Sequence, residues 1–191
     1  MAAWFNTGVT FEMLLFHPWI GPNYQVLGFS GHRILILGES HYGMPEDESP
    51  SFTVECIEGM AKAKHGHSFF TKTAKIFLER ESGVPLTQSE RSNFWDRVAF
   101  FNYIQCFPSK TARTRPTPAM WKFASTVFPL VIQELQPTFV LVLGNALKQN
   151  LPEIKTKATF FYVPHPSSFG FRPQEWRPQV LSALASAGAE T

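Results

Sequence analysis

Cysteine is nearly absent: Cys56 and Cys106 are the only 2 in 191 residues. A disulfide framework or a four-thiolate cluster is thereby excluded, and a reducing, cytoplasmic compartment is expected. Charge is sparse as well, at 17% of residues against 44% hydrophobic, which excludes a disordered polyelectrolyte and promises a sizeable core. Long apolar runs are also missing. Met13-Leu14-Leu15-Phe16 sits between Glu12 and His17-Pro18, far short of the ~20 apolar residues of a membrane span, so neither an export signal nor a membrane partner is expected. No repeat or low-complexity tract occurs, and the Ala/Gly-rich last residues read as a fraying end. A chain of 191 residues stays below the ~250–300 at which cores divide. Residues 1–191 therefore read as one domain, and as a monomer.

A local absence is more telling. No Asp or Glu occurs between Asp96 and Glu134, while Lys110, Arg113, Arg115 and Lys122 fall inside that gap. The formal net charge of +2 conceals the asymmetry: residues 1–100 hold 8 Lys/Arg against 11 Asp/Glu, and residues 101–191 hold 9 against 4. A basic stretch without counter-charges suits contact with a polyanion. Alone it equally suits a solvated loop, and it gains weight only beside chemistry that asks for nucleic acid.

What the chain has in excess is phenylalanine, 19 residues of it. Four short runs read as buried strands: Arg33–Leu37, Val98–Ile104, Thr138–Leu143 and Thr159–Val163. Each is rich in β-branched, leucine or aromatic residues, lacks strict alternation, and ends in Gly, Pro or polar residues. Helical stretches lie at Phe69–Glu81, Pro118–Leu135, Asn145–Asn150 and Pro173–Ala187. Strands alternating with helices predict a three-layer α/β/α domain around a central four-stranded parallel sheet. Function in such a sheet collects in the loops after the carboxyl ends of strands. Here those loops are Gly38-Glu39-Ser40-His41-Tyr42-Gly43, Gln105 to Pro118, Gly144-Asn145, and Pro164-His165-Pro166-Ser167-Ser168-Phe169. Asn102 also stands out, as an amide inside an apolar strand where an unsatisfied polar group is costly.

These loops, in this order, resemble the uracil-DNA glycosylase superfamily across roughly residues 33 to 172. Gly38–Gly43 looks like motif A, written GQDPYH in one branch and GEAPG in another. Asn102-Tyr103-Ile104-Gln105-Cys106-Phe107-Pro108 with Arg115-Pro116-Thr117-Pro118 is similar to the second branch's NVVKCRPP…R-P-P. Leu141–Ala146 resembles its LGxxA strand end, and His165–Arg172 its HPSxLLR motif with one residue added. The resemblance implies a monofunctional enzyme that flips a deaminated or modified pyrimidine out of DNA and cuts its N-glycosidic bond. Base excision in DNA repair is one role it implies, and antiviral defence against hypermodified phage cytosines another.

The same resemblance assigns roles. His165 would donate a hydrogen bond to the pyrimidine O2 as charge builds there, with Pro164 and Pro166 restricting the backbone around it. Asn102 would read the base edge, and Phe70, beside Phe69, would stack on the ring. Tyr42 would shut out 5-substituted pyrimidines, with His41 beside it in the base pocket. Lys110, Arg113, Arg115, Ser167, Ser168 and Arg172 would contact DNA, and Phe169 or Phe171 would be the wedge that replaces the flipped base. Ser40 departs from the first branch, whose third motif-A residue is a water-positioning aspartate. The carboxylate is therefore Glu39, Glu46 or Asp47, with Glu39 favoured for its place at the strand end. Iron is excluded, because Cys106 is the only cysteine comparably placed. His65-Gly66-His67 makes a poor metal site, so no metal or cofactor is expected. Two rivals stand: a DNA-binding protein of this fold that does not cut, and a serine hydrolase using Ser40. The second is weakened because Tyr42 stands where the nucleophile elbow needs glycine.

Overall fold

The structure is a computed structural model that describes residues 11–80 and 84–187. Its sheet has five strands: β1 (Trp19–Ile20), β2 (Ile34–Gly38), β3 (Ala99–Asn102), β4 (Phe139–Leu143) and β5 (Thr159–Val163). They lie in the order β1-β3-β2-β4-β5. The pairs β3–β2, β2–β4 and β4–β5 are parallel, whereas β1 runs antiparallel to β3 through Trp19↔Phe100 and Ile20↔Ala99. This corrects the expected four-stranded parallel sheet to a five-stranded mixed one. A two-residue strand between Pro18 and Gly21 has no periodicity to read.

Six α-helices occur among the described residues: α1 (Phe52–Cys56), α2 (Ser68–Phe77), α3 (Gln88–Trp95), α4 (Pro118–Leu135), α5 (Asn145–Asn150) and α6 (Pro173–Ala187). The last three match the expected bounds. α2 stops at Phe77, and Glu81, where the sequence extended it, lies outside the described residues, as does the chain end beyond 187. α4 starts cleanly because Thr117 caps it, accepting from the Met120 amide, and Pro118 supplies a first-turn residue that needs no partner for an N–H. Neither α1 nor α3 was expected. Among the described residues no helix is long and apolar enough to cross a membrane.

Strand alternation sorts the core into two layers. Ile34, Ile36, Phe100, Leu141 and Val163 face one side, where residues of α1, α2, α3 and α6 cover them. Leu35, Leu37, Phe101, Val140 and Val142 face the other, covered by α4 and Leu147 of α5. α2 is fixed on the first side by its periodicity, with Phe70, Thr73, Ala74 and Phe77 buried on one stripe. The segment leading into it is held by Arg91, 5% exposed, which donates to the carbonyls of Ala63, Lys64 and Leu86. His67 then caps the helix, its Nδ1 accepting from the Phe69 amide at 3.3 Å. His65-Gly66-His67 is thus a loop, whose last residue caps α2.

Candidate functional site

At the carboxyl edge the two middle strands run out into glycine, and the two flanking them carry the polar groups. Gly38 ends β2 opposite Asn102 of β3, and Gly144 follows β4 beside the end of β5. A Cβ at Gly38 would sit on Asn102 Oδ1, so only glycine leaves that carboxamide its place. A Cβ at Gly144, whose φ is +116°, would touch the His165 Cβ at 3.6 Å. Asn102 is in phase with Phe100, and His165 stacks on Phe69 of α2 (centroids 5.2 Å, planes 29° apart). Both therefore lie on the α2 side of the sheet. Their strands are three spacings apart, roughly 14 Å at the usual strand separation, with two glycine strand ends between.

Each group is prepared by its surroundings. Asn102 is 5% exposed, and among the described residues its carboxamide makes no hydrogen bond. Its backbone is clamped by Gln105, which donates to the Asn102 carbonyl at 2.9 Å and accepts from the Phe16 amide at 3.1 Å. At His165, Nδ1 accepts from the Ser167 amide at 3.2 Å. That bond puts a lone pair on Nδ1 and leaves the proton on Nε2. Burial, and then the Arg115 guanidinium, hold the His165 pKa below its ordinary value, so the ring is a neutral Nε2–H donor at pH 7.

Glu39, the favoured carboxylate, is 13% exposed at its side chain and accepts from Arg115 Nη1 at 3.3 Å. Burial pushes its pKa up and Arg115 opposes, with burial prevailing. Tyr42 Oη donates to the Thr114 carbonyl at 3.4 Å. Burial, and then the Glu39 charge, raise its phenol pKa. Imidazole, carboxamide, carboxylate and phenol thus come from three segments at one edge of the sheet: the loop after β5, the end of β3, and the loop after β2, which carries both Glu39 and Tyr42. No family model matches the chain, and no curated protein matches it closely.

Several expected residues lie elsewhere. Phe70 is not a free platform: it is 5% exposed and packs edge-on against Trp95 and Phe100. The ring beside His165 is its neighbour Phe69, about 100° further back around the helix. His41 is withdrawn from any base pocket, with its ring edge-on to Phe16 and Phe52 and its Nε2 2.9 Å from Thr53 Oγ1. Burial takes its pKa down to about 3. Glu46 and Asp47 are exposed on a 3₁₀ turn over Pro45–Asp47. The third acid, Glu48, accepts from the Phe107 amide at 2.6 Å and ties two loops together. Phe171 is 8% exposed and belongs to the core, whereas Phe169 is fully exposed, at 108%. The wedge position falls to Phe169 alone.

Ser40 Oγ is buried and pairs with no histidine among the described residues, so the serine hydrolase reading lacks its serine–histidine pair. Lys110, Arg113, Ser167, Ser168 and Arg172 are all exposed, with Arg172 Nη1 3.3 Å from Glu175. Gln105 was missed as a supporting residue, although a lone amide in an apolar run was a readable signal. A cleft elsewhere, about 1090 Å³, is lined by Arg33, Thr138 and Thr159 at the amino ends of strands. It contains none of these groups.

Proposed function

We propose that the chain is a monofunctional DNA glycosylase with a uracil-DNA glycosylase-like fold, acting on uracil or a modified cytosine. One observation carries the reading. An unpartnered, nearly buried carboxamide and a neutral imidazole lie on the same side of the sheet, on strands that flank two glycine strand ends. A carboxamide carries an acceptor oxygen and a donor NH₂, and a pyrimidine edge presents the complementary donor and acceptor. Phe69 offers the aromatic surface beside His165.

The chemistry follows from these placements. The C1′–N bond breaks with its electron pair leaving on the base, and the charge that gathers at O2 is met by His165 Nε2–H. A water oxygen bonds to C1′ and its proton passes to Glu39, giving an abasic sugar and the free base, which takes up a proton. Lys110, Arg113 and Arg172 hold phosphates, and Phe169 fills the gap in the stack.

The test is base release from DNAs containing uracil, 5-hydroxymethylcytosine and its glucosylated form. His165→Ala is expected to lower release at least ~10²-fold, the cost of losing such a donor. Wild-type release by that variant would overturn the role of His165. A gel shift run in parallel separates the rival, which Ser40 in place of an aspartate favours: binding without alkali-labile strands would make the protein a DNA binder that does not cut.

A further inference from the structure

The ion pair at the rim is lopsided. Glu39 is 13% exposed at its side chain, while Arg115 is 76% exposed. Among the described residues Glu39 is the only acceptor Arg115 has. A guanidinium held by one 3.3 Å contact is weakly committed, since exposed pairs contribute little. It sits in the stretch of sequence free of acids between Asp96 and Glu134, so Glu39 is the carboxylate an arriving phosphate would displace. Phosphate binds arginine with two parallel hydrogen bonds where Glu39 accepts one.

We propose that Arg115 is a positioning residue: it holds Glu39 in an ion pair in the free protein and yields that pair to a backbone phosphate when nucleic acid binds, freeing the carboxylate to orient the attacking water. The role of the water rests on the glycosylase reading, whereas the exchange requires only a phosphate backbone. The charged and titratable groups around Glu39 are Arg115 and the Tyr42 phenol, and the Arg115 charge is also felt by His165. Of these, Arg115 alone opposes the effect of burial on the carboxyl. Its departure moves Glu39 further toward the range in which a carboxylate accepts a proton near neutral pH. A free nucleoside, having no backbone, cannot trigger the exchange.

The experiment is an NMR pH titration of the Glu39 carboxyl in the intact protein. It is run free and with a duplex carrying a tetrahydrofuran abasic analogue, which has no base to release. The midpoint is expected to rise when the duplex binds. A duplex with neutral methylphosphonate linkages beside the analogue should leave it in place. In Arg115→Gln the free protein should already show the raised midpoint, with no further rise on DNA, whereas Arg115→Lys should restore the DNA-dependent rise. The proposal is overturned by a wild-type midpoint that stays fixed with DNA bound, by an equal rise in Arg115→Gln, or by a duplex that does not bind at all. None of these measurements uses base release. A protein that shows the rise but frees no base refutes the glycosylase reading and leaves the exchange standing; base release without the rise does the reverse.

Discussion

Lowering the pH from 7 to 5 should cost the protein about 2 kcal/mol through His41 alone. The ring is 7% exposed, among Phe16 and Phe52 with Thr53 as its polar partner. Burial takes its pKa from 6.5 to about 3. Because the folded value lies below the unfolded one, the unfolded chain binds the proton first. Stability is then lost as pH falls below ~6.5, with the loss levelling off near the folded pKa. Linkage between those two values gives about 2 kcal/mol by pH 5 and about 4 kcal/mol by pH 3, a large share of a typical 5–15 kcal/mol total. Burial lowers His165 in the same direction, so the control must isolate His41. Urea unfolding at pH 7 and pH 5 should show a smaller loss in His41→Gln than in wild type, by about 2 kcal/mol. An NMR titration of the wild-type ring should find it neutral down to pH 4. Equal losses in the two proteins, or a ring that titrates near 6, would refute the reasoning.

Three further outcomes follow from the site. Gly38→Ala drives a methyl onto Asn102 Oδ1 and within 3.2 Å of the Phe100 ring. It should cost about 1–3 kcal/mol in urea unfolding and abolish most base release; release at the wild-type rate would sink the role of Asn102. Phe169→Ala, at a fully exposed site, should change stability by no more than about 0.5 kcal/mol while slowing release from duplex more than from single-stranded DNA. Arg113→Gln should flatten the dependence of DNA affinity on salt by about 0.9 in log–log slope, measured by fluorescence anisotropy at several salt concentrations.

The strands β2 to β5 and the helices α4 to α6 were legible because each is announced by local chemistry: apolar runs that end in Gly or Pro, or a Thr-Pro start as at Thr117-Pro118. β1 was not, since its two residues pair only through the tertiary fold. α3 was hidden by its polarity. Its signal was the capping box between Thr87 and Glu90, which is readable but does not depend on apolar periodicity. The exchange of Phe70 for Phe69 is a matter of helix phase. Phe70, Ala74 and Phe77 fall at spacings of four and three, which marks Phe70 as core once the phase is followed. His41 shows the limit of motif order. Its place in Gly38–Gly43 suggested the site, but the loop turns that ring onto Phe16 and Phe52, and no local spacing records those partners. The phase of Asn102 and the side of the sheet on which His165 lies could be read only after the strands were paired.

The segment Glu39–Glu48 and the segment Phe107–Arg115 are cross-tied at four points: Arg115 to Glu39, Tyr42 to Thr114, Gly43 to Ser109, and Phe107 to Glu48. They form one mechanical block, so the two stretches are best varied together, because varying either alone strips partners from the other. Phe169 and Gly170 stand outside those ties, so that tip can be exchanged independently as long as the Ser167 and Ser168 amides that hold His165 are kept.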